Sequence, residues 1–220
     1  MFKHDPLPKL ELIRQDLPTG RVYITPEGHA YPSMTSVLGF EPNPHLDVWR
    51  ARVGEAEANA VGARAANRGT IMHQYSEDYL SNKDPNVSMF DLSLWKRFRP
   101  VLNDLDNIRL LEGKLYSDRL QLAGTTDIIG DYKGILSICD VKTALRMKKE
   151  EDILNYFIQA TGYACMAYER YGIMAKQIVI LIAVDDHDPQ VFVKKIGPYL
   201  EPLYDIIRRY KEFKANSCIH

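Results

Sequence analysis

The sequence predicts an α/β fold: a mixed central β-sheet flanked by helices and preceded by a helical section. Two observations predict it. Three β-prone runs follow one another between residues 108 and 142, separated by turn-forming breaks. A helical stretch over 150–171, two more strands and a last helix come after them, and this order of elements defines an α/β domain with a mixed sheet.

The elements justify themselves in order. The first 45 residues are Pro-rich, and "RVYITPEGHAYPS" reads as a small hairpin around a Pro-Glu-Gly turn. Ser33 is placed to cap a short helix, "SMTSVLGF", which Gly39 and Pro42 end. Residues 46–66 are Ala-, Glu- and Arg-rich and helical, with Gly54 and Gly62 each weakening the helix by about 1 kcal/mol relative to Ala. A second helix starts at Gly69 and closes at "SNKDPN". Asp91 is a cap for "LSLWKRFRPVLNDL", where Trp95, Phe98, Leu102 and Leu105 fall at helical spacing and Pro100 is expected to kink or restart the helix. Beyond the three strands and the helix over 150–171 come the strand "KQIVILIAV", the strand "VFVKKI" and a helix from 198 to 215. These readings divide one domain into an N-terminal appendage (1–45), a helical section (46–107) and an α/β core (108–220).

At 220 residues, with 45% apolar and 26% charged side chains, the chain has the composition of one globular domain with a sizeable core. Its net charge of −1 means that a polyanionic partner must be met by a local basic patch. Cys139, Cys165 and Cys218 form no CxxC pair, which excludes a zinc ribbon or a four-cysteine cluster and predicts inert buried thiols in a reducing compartment. The opening "MFKHDPLPKLELIRQDL" has no apolar signal region, and no run is long enough to span a bilayer, so the expected location is the cytoplasm, with no membrane partner.

Two acids stand among the apolar residues of the second and third strands. If "DYKG" makes the turn between them, Asp127 lies opposite Ile138 and Asp140 opposite Thr125. Asp127, Asp140 and Lys142 then share one face, with the two carboxylates diagonal neighbours roughly 7 Å apart. Carboxylates so placed repel unless a divalent cation joins them, and Lys142 stands where it can offset charge on a phosphate or an attacking water. The bland alternative is an edge hairpin with solvated acids.

The pattern acid, then acid-x-Lys, resembles the signature of PD-(D/E)xK nucleases. Gly69 to His73, Gly124 to Asp127, Asp140 with Lys142 and Thr143, and Gln159 to Tyr163 occur in the order of the RecB-like exonuclease branch. Glu112 to Ser117 is one residue longer than that branch's simplest Glu-x-x-x-Ser. "YPSMTSVLGF" and "WRARVGEAEANAVGARAANRGTIMHQYSEDYL" are similar to the family of the mitochondrial genome maintenance exonuclease and its phage and bacterial relatives, over residues 20–185.

The resemblance implies a PD-(D/E)xK core in which His73, Asp127, Asp140 and the Val141 carbonyl hold Mg²⁺ or Mn²⁺. It makes Lys142 the catalytic lysine, with Gln159 and Tyr163 orienting it or the DNA backbone, and leaves Glu112 to support the lysine or a second metal. Glu77 is expected to be solvated or ion-paired. Arg68, Arg146, Lys148 and Lys149 are candidates for phosphate contact, joined by Thr143 and by Ser33 and Thr35 of "PSMTS". Trp49, Tyr75 and Tyr79 are candidates for stacking on bases, Trp49 being equally a core residue.

The implied activity is a metal-dependent exonuclease on single-stranded or unwound DNA ends, working as a monomer, with a helicase or other replication or recombination protein as partner. The absence of a transit segment favours a bacterial cell or a phage-infected host. The alternatives are a structure-specific or restriction-type endonuclease and a non-catalytic nucleic-acid-binding accessory protein.

Overall fold

The N-terminal hairpin is present and is one strand larger than expected. Residues 1–217 are described by a computed structural model. In it β1 (Ile13–Leu17), β2 (Gly20–Ile24) and β3 (Ala30–Pro32) form an antiparallel sheet in that order. All of β1 is exposed, so it carries no apolar alternation by which the sequence could reveal it. Residues before it also pair: the Asp5 and Leu7 amides donate to the Ile108 and Arg109 carbonyls, each at 2.9 Å, covering part of a sheet edge.

Helix α1 (Met34–Leu38) has Ser33 as its N-cap, whose side chain accepts from the Ser36 amide. The next helices break at a different glycine from the one the sequence suggested. α2 (Pro44–Val53) stops at Gly54, which has φ 86°, and α3 (Glu55–Leu80) then runs unbroken through Gly62 and Gly69. Only a glycine adopts that φ without strain, so the helix breaks at Gly54. Gly69 stays helical within α3, and a Cβ added there would meet only the Thr143 hydroxyl, at an ordinary contact distance of 4.0 Å.

Helix α4 (Leu92–Leu102) starts after Asp91, but the Asp91 carboxylate accepts from the Tyr75 and Ser88 hydroxyls and makes no cap bond. Pro100 lies in its last turn, and the helix stops two residues later. Tyr75 is buried on Trp95, and Tyr79 packs edge-on against Phe2 and Trp95 with its hydroxyl on Asn103. Both rings are thereby committed to the core and its rim, correcting the expectation that they stack on bases. Trp49 is half-buried.

The core sheet runs β4 (Leu105–Ser117), β5 (Leu122–Tyr132), β6 (Ile135–Ala144), β7 (Gln177–Val184), β8 (Gln190–Lys194). All neighbours are antiparallel except β6 and β7, which are parallel and joined through a 3-10 turn (Glu150–Ile153) and α5 (Leu154–Tyr171). A parallel pair needs such a crossover, and α5 ends at left-handed Gly172. One face of the sheet, with Ile138, Ile178, Ile180 and Ile182, packs on α5 and on α6 (Leu200–Ser217) through Phe157, Met166 and Leu203. The other, with Cys139, Val141, Val179 and Leu181, packs on α3 and α4 through Met72, Trp95 and Phe98. Burial on both faces explains the near-continuous apolar run of β7.

Of the thiols, Cys139 is buried, and burial raises its pKa strongly; Cys165 is only half-buried. Cys218 lies outside the described residues. Among the described residues no helix is long and apolar enough to cross a membrane.

On β5, the Asp131 carboxylate accepts from Arg109 Nη1 at 2.6 Å and Asn107 Nδ2 at 2.9 Å. Burial alone would raise its pKa, but these bonds lower it below the ordinary value of 3.8. A depressed carboxyl pKa contributes stability that is present above the unfolded value and is lost as pH falls through the folded one. Asp131→Asn is therefore expected to cost about 1–2 kcal/mol at pH 7 and to converge on the parent at strongly acid pH. Denaturant titrations at neutral and acid pH check this, and a cost independent of pH would show that charge is not its source.

Candidate active site

The register of β5 and β6 differs from the one read off the sequence. Tyr132 pairs with Ile135, and the pairing runs in step to Ile128 with Cys139. The turn is therefore the two residues Lys133 and Gly134, both at positive φ, as a tight primed hairpin turn requires. Relative to the four-residue turn this shifts the partner by two positions, so every side chain keeps its face. One step past the last ladder pair, Asp127 stands opposite Asp140 instead of diagonal to it.

Glu112 joins the same row. β4 and β5 pair Leu111 with Ile128 and Gly113 with Thr126, which leaves Glu112 opposite Asp127 with the ladder interrupted there. Glu112 sits at φ 45°, a left-handed conformation costly for a non-glycine residue and one that collects at functional sites. Three acids from three adjacent strands thus cross the sheet side by side.

His73 reaches this row from α3. Its Nδ1 is 3.0 Å from Glu112 Oε1 and 3.7 Å from Asp127 Oδ1, and its Nε2 is 2.8 Å from the Val141 carbonyl oxygen. Burial pulls the imidazole pKa down, but the Glu112 hydrogen bond and the Asp127 charge prevail and raise it to about 9. With Nε2–H donating to the Val141 carbonyl, Nδ1 is the nitrogen that faces the two carboxylates, and it would ligate a cation in its unprotonated form. The Val141 amide donates to Asp127 Oδ2 at 2.6 Å. Burial raises the Asp127 pKa, against the opposing charges of His73 and Lys142.

Asp140 is almost wholly buried and forms an ion pair with Lys142. Neither of its oxygens has a hydrogen bond of ordinary geometry among the described residues. Burial raises its carboxyl to about 6, with Lys142 working against the shift and Asp127 adding to it. Burial would lower the Lys142 pKa, but Asp140 and Asp127 raise it, so the ammonium is held charged. Its Nζ also lies 5.3 Å from the centre of the Tyr156 ring, a contact the sequence reading did not include.

The donor set fits a divalent cation. One ligand atom each from His73, Glu112 and Asp127 lies within 4.8 Å of the others. Ligands at about 2.0–2.6 Å from a common ion span that distance. The second oxygen of Asp140, Oδ1, is buried and unbonded among the described residues while Lys142 pairs with Oδ2, and this is a second mark of a cation site. The grouping differs from the one the resemblance implied: Glu112 stands with His73 and Asp127, Asp140 turns to Lys142, and the Val141 carbonyl contacts the other imidazole nitrogen.

A cleft of about 630 Å³ opens over His73, Glu112, Asp127 and Lys142, while the buried Asp140 does not line it. Ser33, Thr35, Glu77, Gln159 and Tyr163 line it as well. Gln159 Nε2 donates to the Tyr163 hydroxyl at 3.2 Å. The ring of Tyr163 lies over Gly124, where an added Cβ would come within 2.7 Å of it, which gives that glycine a packing reason. Ser33 is buried and spends its hydroxyl within α1, whereas Thr35 is exposed.

Other expected residues lie elsewhere. Arg68 is ion-paired with Asp185 and lines a separate cavity, so its charge is largely answered within the protein. Arg146, Lys148 and Lys149 do not line the cleft, because the chain leaves the sheet beyond Ala144, and Thr143, still in β6, is turned toward Gly69 of α3. Arg14, Arg21, Tyr23 and Thr125 do line it. Nothing in their spacing marks them: β1 and β2 fold over the end of β5, where Tyr23 and Thr125 join hydroxyls at 3.1 Å.

No family model matches the chain, and no curated protein matches it. Among solved structures it is similar to a candidate exonuclease from Eubacterium rectale, at 12% identity and a TM-score of 0.47. That similarity covers 65% of this chain and 63% of the other, so the chain spans less than two thirds of its length. It is also similar to the protein SSO0001, at 15% identity and a TM-score of 0.38, covering 80% of this chain and 74% of that one. Neither likeness bears on the chemistry, which rests on the residues themselves.

Proposed function

We propose that the protein is a metal-dependent exonuclease of the PD-(D/E)xK type, RecB-like and akin to the mitochondrial genome maintenance exonuclease, that hydrolyses phosphodiesters of single-stranded or unwound DNA ends. One observation carries the reading: Glu112, Asp127 and Asp140 form a single row, closed by His73 on one side and by Lys142 on the other. Mg²⁺ or Mn²⁺ held there would supply a Lewis acid and a water of lowered pKa. The carboxylates and His73 hold that charge in place. Lys142, kept protonated by Asp140, offers a positive charge where negative charge develops on the phosphate. Gln159 and Tyr163 orient the strand along the cleft floor. The protein acts as a monomer, on DNA delivered by a helicase or another replication or recombination protein.

Exonuclease action is favoured by the exposed helices α2 and the first half of α3, where Ala58 alone is buried between 44 and 67 among the side chains described. In this reading they cover a strand whose end threads toward the cleft lined by the second half of α3. With a net charge of −1, broad electrostatic coating of a duplex is a poor source of affinity. The test is digestion of end-labelled linear and closed circular single strands with Mg²⁺. Linear strands are expected to fall to short oligonucleotides at least about 100-fold faster than the circle, a gap of roughly 2.7 kcal/mol in barrier. Rapid cutting of the circle would overturn the need for an end and favour an endonuclease with the same metal chemistry.

A further inference from the structure

The loop that leaves the catalytic strand, residues 145–149, carries two large apolar side chains exposed among its basic ones. Leu145 and Met147 are 60% and 50% exposed, and Leu154, which opens α5, is 46% exposed. Between the first two stands Arg146, exposed and with no acidic partner within ion-pair distance among the described residues. The loop is fastened. The Lys148 amide donates to Gln190 Oε1 at 2.7 Å, and Gln190 Nε2 returns a bond to the Lys148 carbonyl at 2.8 Å. At its start the Asp185 amide donates to the Ala144 carbonyl at 3.0 Å, and at its end Lys194 pairs with Glu150 at 2.6 Å. Its apolar side chains are therefore held out in water by a backbone bonded at both ends.

Exposed apolar groups beside an unanswered cation suit a partner that is anionic and apolar at once. A single strand with unstacked bases is such a partner, since its phosphates and base faces alternate. A duplex hides its base faces, and a free anion has none. Arg146 is four residues beyond Lys142, so their Cα atoms are at most about 14 Å apart. That is about four nucleotides at the 3.4 Å spacing of one stacked strand, and fewer in a stretched one.

We infer that Leu145 and Met147 form a base-contacting step beside Arg146, which grips the strand a few nucleotides from the cleavage site; this rests on the nuclease reading above. The step gives the protein affinity for bases as well as phosphates, and so a preference for unstacked strands.

The test compares binding of a labelled oligothymidylate and an abasic strand of equal length, by fluorescence anisotropy in EDTA so that no hydrolysis intervenes. The parent is expected to bind the abasic strand about 10-fold more weakly. Leu145→Ser/Met147→Ser should lose that preference by weakening only the base-bearing strand. Arg146→Ala should weaken both strands alike and lower the salt slope by about 0.7. The changed residues are exposed, so a thermal melt should show an intact fold. If the double variant keeps the parent's preference while the parent degrades linear strands, the inference fails and the nuclease reading stands. If the preference is lost in the variant but the parent cleaves nothing, the base-contacting step stands, while the nuclease reading and the step's placement beside a cleavage site both fail. A parent with no base preference overturns the inference outright.

Discussion

Chelation of divalent cations by EDTA is expected to abolish hydrolysis completely, and Mg²⁺ or Mn²⁺ should restore it. Ca²⁺ should bind without supporting turnover, because its looser coordination positions a water poorly. Binding should also appear in stability. Without a cation, Asp140 has a carboxyl raised to about 6 against an ordinary 3.8. The folded state then holds the proton more tightly than the unfolded one, so cation-free stability falls as pH rises through that window. A cation in the row offsets this loss. At 100 times its dissociation constant a ligand adds about 2.7 kcal/mol, or roughly 5–10 °C for a domain of this size. Asp140→Asn and Asp127→Asn should shrink the shift. Full activity in EDTA, or the same melting temperature with and without Mn²⁺, would sink the metal assignment.

Lys142→Ala is expected to lower kcat by about 10²–10³-fold while leaving KM and cation affinity close to those of the parent, since the ammonium acts on charge that appears only in the transition state. The same substitution should destabilise the cation-free protein, because it leaves the buried Asp140 carboxylate without its opposite charge. Adding Mn²⁺ should recover the stability and not the rate. That divergence separates a catalytic lysine from a structural ion pair. A variant with near-normal kcat would show that the lysine serves only to neutralise Asp140. In the double variant Lys142→Ala/Asp140→Asn the stability deficit should largely vanish, as both members of the pair are then neutral.

Much of this was legible because it is local. The three-strand meander, the crossover helix and the apolar β7 follow from side-chain period and length, and their bounds moved by a few residues at most, the meander outward and the other two inward. The shared face of Asp127, Asp140 and Lys142 depends only on parity, so it survived a two-residue error in the turn. The error arose because "DYKG" was read as four loop residues, whereas Lys133 and Gly134 alone turn the chain and Asp131 and Tyr132 stay in β5. The break at Gly54 was missed because glycine in a helix signals a mild weakness. Only the positive φ of Gly54 turns one of them into a helix break.

By itself, the sequence determined the order of elements, the apolar core strands and the set of acids, histidine and lysine available for metal chemistry. These follow from periodicity and residue type, which are properties of neighbours along the chain. The tertiary structure alone decided who meets whom. It set Glu112 beside His73 and Asp127, turned Asp140 to Lys142, answered Arg68 with Asp185, and brought Arg14, Arg21 and Tyr23 over the cleft. The physical reason is that charges and hydrogen bonds act over a few ångströms of space. Which side chains come within that range is set by strand register and by helix and hairpin packing, and neither is written in the spacing of the residues concerned.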